Sequence, residues 1–198
     1  MTSLLIFGVG QMAELVAHYV AESKDYTHIG FVTDRPESKT HLGLPLHRTE
    51  DAIQTMHSED CEVFVAISYH QQNSIRRQIC ERFSGAGWKL ATIISRSAHV
   101  ASNARIGENV LILEGAVIQP WSQIGDGVII WSGVQVGHHS VIDDYAFLSA
   151  GVILMGCNSI GGGSHLAGGV VVKDHVEIGE QVQVGPGVLV DENLMAQQ

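Results

Sequence analysis

The sequence is poor in positive charge. Eleven Lys and Arg stand against 21 Asp and Glu, a net charge of −10. The deficit deepens along the chain: residues 1–93 hold 8 basic and 11 acidic residues, whereas residues 94–198 hold 3 basic (Arg96, Arg105 and Lys173) and 10 acidic. A surface of that sign repels a phosphate backbone, which argues against nucleic acid as a partner. Apolar runs long enough for a membrane span are missing as well. Residues 1–10 lack the basic start and cleavage-site pattern of a secretory signal, so we expect a soluble cytoplasmic protein with no membrane span. Cysteine is scarce. Cys61, Cys80 and Cys157 have neither metal-like nor redox-motif spacing and read as free thiols in a reducing compartment. Charged residues make up only 16% and hydrophobic ones 45%, a balance that suits a stacked solenoid with an ample core.

What the chain does have is a period of six. Every sixth residue from Ile94 to Val190 is Ile, Val or Leu, 17 positions without a break in phase. Helices repeat at 3.6 and simple strands at two, so neither predicts this. A fixed six-residue repeat predicts a parallel β-helix. Four residues after each aliphatic stands a small or β-branched residue, as at Ala98, Ala104, Val110, Ala116 and Ser122. Glycines gather one or three residues after it, as at Gly107, Gly115, Gly125 and Gly127, where a corner needs close approach or positive φ. Each hexad is then one short strand and one turn, and three hexads close a triangular coil of 18 residues. Such coils bury their aliphatics only by stacking on their neighbours.

Residues 1–93 read as a small α/β domain, residues 94–190 as the solenoid and residues 191–198 as a loosely packed tail. A buried strand over 3–8 runs into Gly8-Val9-Gly10-Gln11-Met12-Ala13 and a helix over 11–23. Strand, glycine turn and helix start form the context of a nucleotide-binding turn, equally that of a plain tight β–α turn. A second strand over 28–34 ends in Asp34, an acid able to take ribose or sugar hydroxyls. Residues 35–46 read as a surface loop, 48–57 as a short helix and 62–68 as a third strand. Residues 70–84 read as a helix with Arg76, Arg77 and Arg82 exposed, and 89–93 as a last strand. This half is too short for a two-lobed dinucleotide domain and suits one mononucleotide better than NAD.

The chemistry centres on Trp131-Ser132-Gly133-Val134-Gln135-Val136-Gly137-His138-His139-Ser140. Two histidines beside glycine on a solenoid corner project outward, where a neutral imidazole can act as general base. The small α/β half followed by hexapeptide repeats resembles the NeuD/PglD-like sugar acetyltransferases. The runs Val117-Ile118-Gln119-Pro120-Trp121, Ile130-Trp131-Ser132-Gly133 and Gly137-His138-His139-Ser140-Val141-Ile142 resemble a subgroup of that family.

The resemblance implies a Rossmann-like domain followed by a left-handed β-helix. The general rule for parallel crossovers gives the opposite hand. It further implies a homotrimer that moves acetyl from acetyl-CoA to a hydroxyl or amine of a nucleotide-linked sugar, for surface-glycan synthesis. The base would be His138 or its neighbour His139. Coenzyme contacts would be Phe147, Gly156, Gly168, Gly185 and Pro186; sugar-nucleotide contacts would be Gly8, Gly10, Asp34 and Ser68. No metal is expected. The family's acid after the base is replaced by His139, which leaves Asp143 and Asp144 as candidates to orient His138. Three other readings compete: a non-catalytic sugar-nucleotide scaffold, a small NAD-dependent oxidoreductase, and a trimeric γ-carbonic-anhydrase-like metal enzyme using His138, His139, His165 and His175. Within one chain, the step from His138 to His165 is one and a half coils and puts them on different corners.

Overall fold

The structure is a computed structural model that describes residues 2–23, 25–56, 61–69 and 73–195. The chain forms two compact units, one of Met1–His70 with Ile75–Ile93, the other of Gln71–Ser74 with Ile94–Gln198.

The first unit is a six-stranded sheet with helices. Its elements are β1 (Thr2–Phe7), α1 (Gln11–Ser23), β2 (Tyr26–Thr33), β3 (Thr40–His41), β4 (Leu44–Arg48), α2 (Thr49–Thr55), β5 (Cys61–Val65), α3 (Ser74–Gly85) and β6 (Lys89–Leu90). The sheet order is β3-β4-β2-β1-β5-β6, parallel except for the β3–β4 pair. Central β1 reads as an unbroken apolar run because a parallel sheet is covered on both faces; Leu4, Leu5 and Ile6 are fully buried. Helix α1 turns Met12, Ala13, Val16 and Val20 inward, the spacing of one helical face.

Three local readings need correction. The expected loop over 35–46 contains β3, which pairs back on β4 through Thr40–Pro45 and His41–Leu44. Arg76 is not on the solvated face of α3. It is fully buried, and its Nη1 donates to the Ile67 carbonyl at 3.0 Å. The strand expected over 89–93 is split, with β6 in this sheet and Ile93–Ile94 opening the solenoid. Positions 57 and 70–72 of the expected helices lie outside the described residues.

The second unit is a left-handed parallel β-helix of 17 two-residue strands, β7 (Ile93–Ile94) to β23 (Leu189–Val190). Each strand pairs in parallel with the one 18 residues on, as Ile112 with Ile130 and Ile130 with Leu148. Three sheets result, holding six, six and five strands. The repeat aliphatics point inward and form one continuous core from Ile112 to Val190, with Val110, Ala116, Val128, Val134, Ala146 and Val152 filling between them.

The corners carry the sequence's other signal. The third residue after each aliphatic has positive φ in all 14 hexads from Asn109 to Gly187: seven are Gly and seven are not. The non-glycines, Asn109, Trp121, His139, Tyr145, Cys157, His175 and Gln181, each accept a left-handed backbone costing roughly 1–2 kcal/mol. The turn geometry therefore overrides residue preference, because inter-coil pairing holds both ends of every turn.

The expected loose tail is ordered as far as residue 195. Leu194 bridges Ile178 in parallel, the Gly179 N–H donates to the Leu194 carbonyl at 2.7 Å, and Asn193 Oδ1 accepts the Glu177 N–H at 2.8 Å. Residues 196–198 lie outside the described residues. Leu148 is fully buried in the central coils. Leu148→Ala should lower stability by about 2–5 kcal/mol, read from the urea midpoint.

Candidate active site

The turn holding His138 and His139 stacks on the turns at 119–122, 155–158 and 173–176. Successive coils tie it down. The His139 N–H donates to the Pro120 carbonyl at 3.2 Å, the Cys157 N–H to the His138 carbonyl at 2.8 Å, and the His175 N–H to the Gly156 carbonyl at 3.0 Å. The His138 N–H donates to Gln119 Oε1 at 3.0 Å. Beneath the turn lies a buried polar group. Asn158 gives its Nδ2 to the carbonyls of Lys173 and Val176 at 2.6 and 3.2 Å, while its Oδ1 takes the Gly156 N–H at 3.1 Å. Its own N–H donates to Ser140 Oγ at 3.2 Å. Buried amides with partners on all sides fix a backbone well, so the imidazoles stand on a rigid base.

Both imidazoles are exposed. Their Nδ1 atoms are 3.1 Å apart. Two neutral rings in that arrangement share one proton: one Nδ1–H donates and the other Nδ1 accepts. Trp121 stacks on His139 at a centroid distance of 4.8 Å and an interplanar angle of 23°. The two histidine rings meet edge to face at 5.3 Å. The edge of His138 bearing Nε2 and Cε1 lies over Gly156. A methyl group built on Gly156 would stand 3.3 Å from both atoms, and its φ of +147° is a conformation open to glycine. The fold thus commits His138 Nδ1 to His139 and leaves Nε2 beside a glycine-made recess.

Asp143 and Asp144 do not orient His138 within the chain. They occupy the next corner, where Asp144 Oδ1 accepts the Asp126 N–H at 2.8 Å. Burial, reinforced by Asp144 and Glu180, pushes the Asp143 carboxyl above its ordinary value. The partner of His138 is His139.

The residues expected to hold a coenzyme fall on two different corners. Gly156 belongs to the histidine corner. Gly168, Gly185 and Pro186 belong to the corner at 167–170 and 185–188, one turn position in neighbouring coils. Phe147, in β16 (Phe147–Leu148), is buried, with its ring edge-on to His165 at 5.2 Å and tilted to Trp131 at 6.3 Å. His165 lies on a strand, not a corner. Its Nε2 is 3.0 Å from Ser149 Oγ, and burial lowers its pKa below the ordinary 6.5.

In the first unit, Gly8, Gly10, Asp34 and Ser68 all follow strands β1, β2 and β5, and so meet at the carboxyl edge of the sheet, where α/β folds bind ligands. Gly8 (φ +118°) lets the chain pass the Ala66 carbonyl; a methyl there would stand 3.1 Å from it. The Gly10 carbonyl accepts from Ala13 and Glu14 and starts α1. Asp34 is already engaged, its Oδ1 taking Arg82 Nη1 at 2.8 Å and the Thr49 hydroxyl at 2.7 Å. The cleft beside these residues, about 340 Å³, is lined by Val9, Thr33, Arg35, Glu37, Ser38 and His41. Arg35 adds a cation that the sequence reading left in a loop.

Sequence reasoning missed Gln119 and Asn158 as supports and Cys157 as a neighbour. For Cys157 a signal existed: 18 residues after His139 it must stack on it.

The PglD N-terminal domain family matches residues 3–83, and the bacterial transferase hexapeptide family (six repeats) matches residues 122–156. A histidine-to-asparagine mutant of perosamine N-acetyltransferase from Caulobacter crescentus, solved with CoA and GDP-perosamine, is 28% identical over 98% of this chain and 91% of its own, with a TM-score of 0.88. The acetyltransferase domain of PglB from Neisseria gonorrhoeae, solved with acetyl coenzyme A, is 29% identical over 98% and 93%, with a TM-score of 0.89. PerB from Caulobacter crescentus, solved with CoA and GDP-perosamine, is 27% identical over 100% and 92%, with a TM-score of 0.88. Comparison with curated proteins gives no significant match.

The chain thus carries a PglD N-terminal domain followed by bacterial transferase hexapeptide repeats, and it is similar throughout to solved sugar acetyltransferases. Its hexapeptide repeats and its solved acetyltransferase neighbours mark it as an enzyme of the acyltransferase class, with His139 where the resemblance leads one to expect an acid after His138. Gly156→Ala should leave the coils stacked but displace the His138 ring. We expect acetyl transfer to fall at least tenfold, with a stability loss of about 1–3 kcal/mol, measured by steady-state kinetics beside thermal denaturation.

Proposed function

We propose that the chain transfers acetyl from acetyl-CoA to a hydroxyl or amine of a nucleotide-linked sugar, in the synthesis of a surface glycan. One observation carries this reading: His138 presents an exposed imidazole whose Nδ1 is held by His139 at 3.1 Å and whose Nε2 lies over the Gly156 recess. The likeness of both halves to enzymes solved with acetyl coenzyme A, or with CoA and GDP-perosamine, supports it. Acetyl-CoA and nucleotide sugars are cytoplasmic metabolites, and the cytoplasm is where this reading has the enzyme work.

The transfer is direct. With Nδ1–H donated to His139, His138 Nε2 carries the free lone pair and takes the acceptor's proton as its oxygen or nitrogen attacks the thioester carbonyl. A corner N–H holds the oxyanion; that of Gly156 is already given to Asn158 Oδ1 at 3.1 Å and is not the donor. Collapse of the tetrahedral intermediate breaks the carbon–sulfur bond, and the CoA thiolate leaves with the proton from Nε2. His139 serves as the positioning residue. As a neutral acceptor it fixes the tautomer as a carboxylate would, with less stabilisation of the imidazolium. Nucleotide recognition goes to Gly8, Gly10, Asp34 and Ser68, with Arg35 facing the same cleft.

A homotrimer completes the site. The outward row of the sheet between the two corners is apolar at Val117, Ile153, Val171 and Leu189, with His99 and Gln135 its polar members. Ile153 is 38% and Leu189 61% exposed, flanked by Met155 and Val188. Around a threefold axis, three copies that turn this face inward set the Gly168–Pro186 corner of one against the His138 corner of the next. That brings Gly156, Gly168, Gly185 and Pro186 to one groove for coenzyme A.

Two tests follow. His138→Ala should lose on the order of 100-fold or more in transfer at unchanged oligomeric state, assayed by thiol release from acetyl-CoA against a panel of UDP-, dTDP- and GDP-amino sugars; near-full activity would remove His138 as the base. Ile153→Arg should yield monomers by light scattering and lose transfer with them, whereas a monomeric, active parent enzyme would sink the shared groove.

A further inference from the structure

His138 and His139 do not stand alone. Cys157 is half-buried directly over His139 in the next coil, with Sγ 3.9 Å from His138 Nδ1. The two imidazole nitrogens and the sulfur all lie within 4.8 Å of one another. We infer that these three atoms form a thiophilic metal site, fit for Zn²⁺, that switches the enzyme off.

Distance and chemistry agree. A tetrahedral zinc with Zn–N near 2.05 Å and Zn–S near 2.3 Å places its nitrogens about 3.3 Å apart and sulfur about 3.6 Å from nitrogen. The Nδ1 pair is at 3.1 Å and the sulfur is 3.9 Å from His138 Nδ1 before any ion enters, with no two of the three ligand atoms more than 4.8 Å apart. Two imidazoles and one thiolate select zinc over calcium or magnesium, which take oxygen. Three protein ligands leave the fourth position to water. The turn geometry assists. Cys157 and His139 both hold positive φ, of 52° and 59°, so both side chains leave the stack in the same direction.

Inhibition follows from the tautomer and rests on His138 as base. Zinc requires both Nδ1 atoms bare and the sulfur deprotonated. The thiol proton goes to solvent, and the Nδ1 proton of His138 moves to Nε2. Nε2 then has no lone pair for the acceptor's proton, whether or not the ion blocks the groove.

Co²⁺ reports on such a site through a near-ultraviolet thiolate-to-metal band. We expect one Co²⁺ per chain with that band, displaced by Zn²⁺, and release of one proton per ion in calorimetry across buffers. Cys157→Ser should abolish the band and weaken Zn²⁺ by more than the ~10–100-fold that loss of an outer-shell partner costs. The double variant Cys61→Ser/Cys80→Ser should keep it. No Co²⁺ uptake, uptake without the band, or a band that survives Cys157→Ser overturns the site. The second arm compares each protein's transfer rate in Zn²⁺ with its own rate in EDTA. Parent enzyme should be inhibited and Cys157→Ser much less so; a parent with the band and undiminished transfer overturns the switch. A parent that acetylates no sugar in the panel defeats the functional reading, while the cobalt band still decides the site.

Discussion

Backbone hydrogen bonding between coils, in a register that pairs residues 18 apart, positions every side chain in the second unit. Because the N–H and C=O groups of a strand are answered one coil away, the residue two places after an aliphatic reaches the same turn position, and the residue three places after takes positive φ in every hexad from Asn109 to Gly187. The inward column supplies the apolar stabilisation, but the register decides what stands beside what. His138 faces Gly156, and His139 stacks between Trp121 and Cys157, for no reason other than that arithmetic. A site built in this way has little freedom to adapt by repacking. It changes by replacing one member of a column, as His139 stands where an acid is expected.

That same arithmetic made the second unit readable from its residues. The phase of 17 aliphatics gave the coil count, the inward face and the corner that carries His138. The first unit was read less well, because its signals are local and tertiary contacts overrule them. Arg76 stands beside Arg77 and reads as solvent-facing, but it shares the buried face of α3 with Cys80 and Phe83, and the Ile67 carbonyl accepts from its guanidinium. Thr40 and His41 lack any strand signature and become a strand through their partners in β4. Asp34 looks like a free ribose acceptor until Thr49 and Arg82, far apart in sequence, close on it. Cys157 is the instructive case within the solenoid. Its spacing from His139 was on the page, but cysteines are customarily searched for by short spacings, and coil neighbours are distant in sequence.

The two units also place function differently. In the α/β unit the ligand edge comes from where strands end, so loops of unrelated sequence converge on it. In the β-helix no strand end is special, and function rests on a chosen corner. The seven non-glycine residues in left-handed conformation mark where the repeat gives up backbone ease. Three of them, Trp121, His139 and Cys157, cluster around His138.

Residues 191–195 bear on the solenoid's length. A stack of parallel coils ends in open strand edges, which invite another chain to add itself. Leu194 lies along Ile178, its carbonyl takes the Gly179 N–H and Asn193 Oδ1 takes that of Glu177, so one of the three terminal edges is already occupied. The segment withholds that one edge as a template for an added strand.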